Sequence, residues 1–304
     1  MEFDYFVTPQ WLFEHHDAQD LVIVDVSAPM PTQDIDYHQR YLERHIPGAH
    51  FFDLDEIADK TTSLPHMLPS DTLFSETLTQ LGISNNTTVI LYDIGNLFSA
   101  PRGWWTFTTL GCHKVRILAG GLQVWQEAGF PLEQGETPKV PATHPFIVTR
   151  HTQRCVDKQQ ILDNLTTQQN QIIDARSADR FYGRAPEPRP GLRRGHIPNS
   201  KNVPWDSLVI NGQLKDKAQL QHIFEQAGVD LSQPIIVSCG SGMTAAILFL
   251  ALTLLGCQNI ALYDGSWAQW GAENTLPCVC IYNISNRKLI LHKSKPALSG
   301  FSLF

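Results

Sequence analysis

One cysteine stands at the point where a short apolar run gives way to a long one. Cys239 lies in the stretch SCGSGMTA, residues 238–245, between the run PIIV and the run AILFLALTLLG. We interpret this stretch as a loop that leaves the carboxyl end of a parallel strand and enters a helix, where backbone N–H groups and the helix dipole attract an anion. A thiol at the first position of this loop is predicted to ionise and act as a nucleophile.

The chain contains two copies of one pattern. LGCHKVRILAGGLQVWQEAGFPL (110–132) recurs as LGCQNIALYDGSWAQWGAENTLP (255–277), and ERHIPGAHFFDLDEI (43–57) recurs as RGHIPNSKNVPWDSL (194–208). The position aligned with Cys239 is Asp93, so only the second copy carries the thiol. This asymmetry favours a reactive cysteine over an inert, buried one. It predicts an active C-terminal copy and a supporting N-terminal copy.

Each copy alternates short apolar runs with helical periods. In the first copy we expect strands near 22–25, 88–92 and 115–118, and helices near 71–81 and 100–110. This order predicts an α/β fold with two tandem domains, each a mainly parallel sheet with helices on both faces. We place the domains at 1–132 and 151–277, a proline-containing linker at 133–150, and a C-terminal tail of unassigned role at 278–304.

The composition of the chain limits the kinds of partner that it is expected to bind. The net charge of −7 and the lack of a sustained basic run argue against nucleic acid or an anionic membrane surface, and favour a small molecule. The longest apolar stretch, 245–255, is too short to span a bilayer, and the N-terminus shows no secretory pattern. Six scattered cysteines predict reduced thiols in the cytoplasm. No phosphate-binding glycine motif is present, and we expect no cofactor and no metal.

These motifs together resemble the rhodanese superfamily, and within it the 3-mercaptopyruvate sulfurtransferases. The resemblance rests on tandem copies with a His-Ile-Pro turn and on the CGSGMTA loop in the second copy only, and it covers about residues 5–277. It implies that Cys239 accepts sulfur from 3-mercaptopyruvate as a persulfide, releases pyruvate, and passes the sulfur to a thiol such as thioredoxin or glutathione, or to cyanide. The loop residues Gly240, Gly242, Met243 and Thr244 are then expected to contact the substrate.

An α-keto carboxylate needs a planar, permanently charged partner, which a guanidinium provides. The stretch 174–196 holds six arginines. The resemblance implies that Arg180 and Arg189 bind the carboxylate and carbonyl, and that Arg102 reaches over from the first copy. We interpret the remaining four as surface or turn residues: Arg176, Arg184, Arg193 and Arg194.

Cleavage of the carbon–sulfur bond leaves an enolate that must gain a proton. The resemblance implies a relay of Ser241, His66 and Asp55 for this purpose. His45 and His196 occur in the same turn of both copies, including the copy without a thiol, so we expect them to be structural.

Three alternative functions fit the residues around Cys239 less well. A cysteine phosphatase needs an arginine six residues after its cysteine, and this position is Ala245. A thiosulfate sulfurtransferase is expected to carry basic residues after the cysteine, where this chain has neutral Gly240 and Ser241. A non-enzymatic sulfur carrier or binding module would not require the cysteine together with the arginines.

Overall fold

The computed structural model describes residues 5–280. The first half of the chain holds strands β1 Phe6–Val7, β2 Leu21–Asp25, β3 His50–Phe51, β4 Thr88–Tyr92 and β5 Val115–Leu118. Its helices are α1 Pro9–His15, α2 Tyr37–Glu43, α3 Asp71–Gln80, α4 Ala100–Thr109 and α5 Gly121–Glu127. All the elements predicted for the first copy are confirmed, with ends that differ by one or two residues.

The second half repeats this series. Its strands are β6 Cys155–Val156, β7 Gln171–Asp174, β8 Lys201–Asn202, β9 Val209–Ile210, β10 Gln213–Leu214, β11 Ile235–Ser238 and β12 Ile260–Tyr263. Its helices are α6 Lys158–Thr167, α7 Ala178–Phe181, α8 Lys217–Gln226, α9 Ala245–Leu254 and α10 Ser266–Trp270, with short 3-10 helices at Thr152–Arg154 and Trp205–Leu208.

The two halves form equivalent sheets. The strand order is β1-β5-β4-β2-β3 in the first and β6-β12-β11-β7-β8 in the second, and every neighbouring pair in these sheets is parallel. The strands β9 and β10 form a separate antiparallel hairpin. Because the carboxyl ends of parallel strands share one edge, the loops after β4 and β11 lie at the edge where α/β proteins bind ligands.

Successive residues of the central strands face opposite cores. In β4, Val89 and Leu91 join the core that contains α3 and α4, whereas Ile90 and Tyr92 join the core that contains α1 and α5. The helices therefore cover both faces of the sheet, as the apolar runs predict. The core of α4 is continuous with that of α9, so an apolar interface joins the two halves.

The segment 133–150 contains no helix or strand and follows the surface of the first half. Glu133 forms an isolated bridge with His45, and the Ala142 N–H donates to the Thr79 carbonyl. Phe146 is buried in the core. The proposed domain boundaries stay a prediction. Of the predicted tail, only 278–280 falls among the described residues, and there Val279 bridges His196 as Glu133 bridges His45.

The histidines of the two His-Ile-Pro turns are buried and hold backbone. His45 Nδ1 lies 2.8 Å from the Tyr41 carbonyl oxygen, and His196 Nδ1 lies 2.8 Å from that of Phe181. The His196 ring also stacks on Phe181 at 3.8 Å between centroids. The structural interpretation of both residues is confirmed. None of the helices in residues 5–280 has the length and apolar composition needed to cross a membrane.

Candidate active site

Cys239 is the first residue after β11, and five residues separate it from α9. Its side chain is buried, its N–H donates to Ser266 Oγ at 3.2 Å, and its carbonyl accepts the N–H of Trp267. The backbone N–H groups of residues 240–245 find no acceptor among the described residues. The loop therefore presents free donors and a helix N-terminus beside the thiol, as the sequence predicts.

The two loop glycines leave room for guanidinium groups. A Cβ atom on Gly240 would lie 2.9 Å from Nη2 of Arg180, and one on Gly242 would lie 2.7 Å from Nη1 of Arg102. Gly242 also has a φ of +78°, which other residues rarely adopt. Both glycines thus bring arginines against the loop, which adds a reason for their presence to the one drawn from the sequence.

Arg102 crosses from the first half of the chain to the catalytic loop. Its Nη1 donates to Asp264 Oδ1 at 2.7 Å and to the Gly242 carbonyl at 3.3 Å, while Nη2 donates to the His66 carbonyl. Both members of the Arg102–Asp264 pair are buried. Asp264 Oδ2 also accepts the N–H of Leu68 at 2.8 Å. These contacts fix the segment that carries His66; a direct contact of Arg102 with substrate stays a prediction.

A buried carboxylate organises two further arginines. Glu187 accepts from Arg176 Nη1 through Oε1 at 2.7 Å, and from Arg180 Nη2 through Oε2 at 2.5 Å. Arg176 also pairs with Asp174 and lies over the ring of Trp267. The interpretation of Arg176 as a surface or turn residue is wrong, because these contacts bury its guanidinium completely.

The other three arginines that we interpret as surface or turn residues form no ion pair with Glu187 in the described structure. Arg184 is exposed and pairs with Asp179, and Arg194 is exposed. Arg193 is half-buried, and its guanidinium donates to the carbonyl oxygens of Trp270, Gly271 and Leu276. Arg193 therefore holds the end of the second domain together.

Arg189 is the active-site arginine that keeps no carboxylate partner among residues 5–280. Its Nη2 lies 3.5 Å from Nε2 of His66. Burial lowers the pKa of Arg189, while the nearby Cys239 and Asp55 act in the opposite direction. A cation beside the thiol, with unpaired donors, suits an anionic substrate.

His66 lies between a carboxylate and this cation. Its Nδ1 is 2.6 Å from Asp55 Oδ1, and its backbone is left-handed, with φ at 60°. Interaction with His66 is the main cause that lowers the pKa of Asp55. The structure brings Asp55 and His66 together as the relay requires. Ser241 is buried, but no hydrogen bond joins it to His66 within the described part of the chain, so that step stays a prediction.

The last two residues of the loop differ in their surroundings. Met243 is buried in the core that joins the two halves. Thr244 precedes α9, is half-buried, and makes no side-chain cap hydrogen bond. The predicted contacts of both residues with substrate stay predictions.

Three residues that support the site are missing from the sequence prediction. Asp264 follows β12 at the same sheet edge as Cys239, which is the signal that could have found it. Glu187 stands as the one acid within the arginine-rich stretch 180–194. Ser266 has a φ of 47° where the first copy has Gly121, and only the structure shows that its hydroxyl meets the N–H of Cys239.

The described residues contain no cluster of side chains that could bind a metal ion. Within residues 5–280, no group of three or more His, Cys, Asp or Glu side chains could hold a metal ion. Cys278 and Cys280 are half-buried and not disulfide-bonded, and Cys278 Sγ donates to the Arg194 carbonyl.

Comparisons with known proteins agree with this architecture. The family model of the rhodanese-like domain matches residues 8–128 and 157–273. The 3-mercaptopyruvate sulfurtransferase of Escherichia coli K12 is 46% identical over 282 residues, which cover 91% of this chain and 98% of that protein. The thiosulfate/3-mercaptopyruvate sulfurtransferase 2 of Arabidopsis thaliana is 40% identical, over 90% of this chain and 86% of that one.

A solved structure is similar over most of its length. The crystal structure of the 3-mercaptopyruvate sulfotransferase SseA from Escherichia coli superimposes with a TM-score of 0.80 at 44% identity, covering 87% of this chain and 99% of that one.

Proposed function

This chain belongs to the rhodanese family, and from that premise we propose that it is a sulfurtransferase that moves sulfur from 3-mercaptopyruvate to a thiol or cyanide through a persulfide on Cys239. The observation that carries the proposal is a loop thiol near a guanidinium that has no carboxylate partner among residues 5–280. Cys239 follows β11, and Arg189 is close enough to it for their charges to interact.

The proposed first step is attack of the Cys239 thiolate on the sulfur of 3-mercaptopyruvate. A sulfur–sulfur bond forms, the carbon–sulfur bond breaks, and its electron pair leaves as the enolate of pyruvate. The proton that the substrate thiol loses balances the proton that the enolate gains. The free N–H groups of residues 240–245 stabilise the negative sulfur, since aligned amides and a helix N-terminus favour an anion.

Arg189 is proposed to bind the substrate carboxylate. Its guanidinium can form two parallel hydrogen bonds to carboxylate oxygens, which orients the sulfur toward Cys239. Arg180 is proposed to bind the substrate carbonyl, and its Nε and Nη2 are turned toward Glu187. Glu187 thus fixes the direction of Arg180 before substrate arrives, which lowers the ordering cost of binding.

Asp55 and His66 are proposed to handle the proton. The contact between His66 Nδ1 and Asp55 orients the ring, so that Nε2 points to Arg189 and the substrate. A histidine held in this way can act as a general acid or base toward a bound substrate. Ser241 is proposed to pass the proton between His66 and the sulfur.

In the second step an acceptor thiolate or cyanide attacks the outer sulfur of the persulfide, the sulfur–sulfur bond breaks, and its electron pair regenerates the Cys239 thiolate. We propose thioredoxin, glutathione or cyanide as the acceptor. The free state of all six cysteines supports the proposed cytoplasmic location.

Mass spectrometry of the intact protein tests the proposal. Addition of 3-mercaptopyruvate without an acceptor is expected to add one sulfur to Cys239 and to release one equivalent of pyruvate. A dithiol should then remove that sulfur. Pyruvate release without a modified Cys239 would contradict the covalent step.

Thiosulfate is the second donor to test, because the name of the Arabidopsis thaliana relative includes both donors. Faster persulfide formation from thiosulfate than from 3-mercaptopyruvate would overturn the donor assignment and leave Cys239 as the carrier. The neutral residues Gly240 and Ser241 favour 3-mercaptopyruvate.

A further inference from the structure

A large open cavity lies at the edge of the second sheet where β11 and β12 begin, whereas Cys239 lies at the edge where β11 ends. Its volume is about 640 Å³, and its lining includes Ile235 and Ile260, the first residues of β11 and β12. Trp104 and Thr108 of α4 form the wall from the first half of the chain, and Phe249 of α9 lies beside them. Cavities of this size hold small molecules, and none of the proposed catalytic or substrate-binding residues lines this one.

The charge of this cavity is positive. None of its lining residues is Asp or Glu, whereas Arg154 contributes a guanidinium. The protein as a whole carries a net charge of −7, so the cavity differs in sign from the molecule around it. Burial, followed by the charges of Arg154 and His113, lowers the pKa of His151.

Arg154 differs from the other arginines that are held in the interior. Its guanidinium lies over the rings of Phe249 and Trp104, at 4.8 Å and 5.4 Å, and its Nε and Nη2 are shielded from solvent with no hydrogen-bond partner among residues 5–280. In Arg176 and Arg180, the same two nitrogens donate to a carboxylate. Nε and Nη2 form the edge of a guanidinium that matches two carboxylate oxygens.

We propose that this cavity binds a small organic anion, a carboxylate attached to a ring or another apolar body, and that Arg154 is its charged ligand. The bound carboxylate would accept hydrogen bonds from Nε and Nη2 of Arg154, which have no acceptor among residues 5–280. The Arg154 side chain would first rotate away from the rings of Phe249 and Trp104. The body of the ligand would contact apolar side chains of the lining, which include Ile236, Val156 and Ala261. His113 and His151 would add polar contacts at the rim.

A fluorine NMR titration with 4-fluorobenzoate tests this inference, with 4-fluorobenzyl alcohol as the uncharged match. The wild-type protein is expected to bind the benzoate and to bind the alcohol much more weakly. Arg154→Met should weaken the benzoate by about 10- to 100-fold, which is the loss of a two-bond charged contact. Arg150→Met removes a different arginine, one that pairs with Asp71, and should leave this binding unchanged.

The proposed active site also attracts carboxylates, and a second variant separates the two. Arg189→Ala should keep the Arg154-dependent binding, so this inference and the proposed function can fail independently. Thr253→Phe fills the cavity from α9 without touching Arg154, and should abolish the binding even if Arg154→Met does not fold. Equal dissociation constants for wild type and Thr253→Phe, or equal binding of the alcohol and the benzoate, would overturn the proposal.

Discussion

The loops after β4 and β11 occupy equivalent places in the two halves and begin with different side chains, Asp93 in the first and Cys239 in the second. In the first, the carboxylate of Asp93 accepts the N–H groups of Gly95, Ser99 and Ala100 at 2.9 to 3.1 Å. In the second, Cys239 stands at that position and the N–H groups of residues 240–245 have no acceptor in the described chain. The first loop uses its own carboxylate to satisfy three of its donors, whereas the donors of the second loop are free for the proposed sulfur anion and substrate.

The strands beside these loops show the same contrast. Asp25 ends β2 and Asp174 ends β7, but only Asp174 has an arginine two residues later, Arg176, to pair with. Without such a cation, burial raises the pKa of Asp25 to about 6, partly offset by hydrogen bonds from Ser27. The first half therefore carries a buried carboxyl group that has no ion-pair partner among residues 5–280. At the equivalent place the second half has a network of ion pairs next to the candidate active site.

The chain between helix and His-Ile-Pro turn differs as well. In the first half α2 ends at Glu43, next to the turn that contains His45. In the second half α7 ends at Phe181 and residues 182–195 intervene before His196. This longer segment carries Glu187 and Arg189, so the second copy holds charged residues of the candidate site at a place where the first copy has no equivalent segment.

Among the substitutions that test the contrast between the two loops, removal of the Cys239 thiol is expected to have the largest effect on turnover. Cys239→Ser should lower turnover of 3-mercaptopyruvate by about 10⁴-fold or more while the fold is kept, because serine forms no persulfide. Pyruvate release and thermal unfolding measure the two effects. Cys257→Ser, a half-buried cysteine of the same domain, is the matched control and should stay active. Activity near wild type in Cys239→Ser would refute the covalent mechanism.

Loss of the unpaired guanidinium should act on substrate binding. Arg189→Ala is expected to raise KM for 3-mercaptopyruvate by about 100-fold, since a charged hydrogen-bonded contact is lost. The rate of Cys239 alkylation by iodoacetamide, an uncharged reagent, should change much less. Arg184→Ala removes an exposed arginine of the same segment and serves as control. An unchanged KM in Arg189→Ala would remove the carboxylate assignment.

The unpaired acid predicts a dependence of stability on pH. The pKa of Asp25 is about 6 in the folded protein, above its value in an unfolded chain, so the folded state holds the proton more tightly. The stabilising proton is fully present below pH about 4, and the free energy of unfolding should fall by about 3 kcal/mol as the pH rises from about 4 through about 6.

Urea unfolding of wild type and Asp25→Asn at several pH values measures this effect. The part of the slope between pH about 4 and about 6 that comes from Asp25 should be absent in the variant. Asp17→Asn removes an exposed carboxylate and should keep the wild-type slope. Identical slopes in wild type and Asp25→Asn would show that burial does not shift this group.

The smallest expected effect comes from the carboxylate that fills the first loop. Asp93→Ala should lower the free energy of unfolding by about 1 to 2 kcal/mol, because three backbone N–H groups lose their acceptor. Turnover should stay near wild type, since Asp93 lies outside the catalytic loop. Asp93→Asn keeps one acceptor oxygen and should cost less. A larger loss for Asn than for Ala would contradict the role of that oxygen.

Local sequence patterns were sufficient for the longer strands and helices and for the repeat of this protein. Apolar runs with β-branched residues predicted β2, β4 and β5, and the fully apolar run after Thr244 predicted the buried helix α9. The alignment of the two copies identified Cys239 as the unmatched residue. These features are local or repeated, so one sequence is enough to show them.

Only the tertiary structure decided which charges meet. Arg102 and Asp264 lie 162 residues apart, and His66 and Arg189 lie 123 apart, yet both pairs meet beside one loop. The sequence could not separate Arg176, which is buried on Asp174 and Glu187, from Arg189, which has no carboxylate partner in the described part of the chain. Residue type fixes the charge of a side chain, but its partners depend on how distant strands and helices pack, and that packing is what leaves one guanidinium beside the thiol.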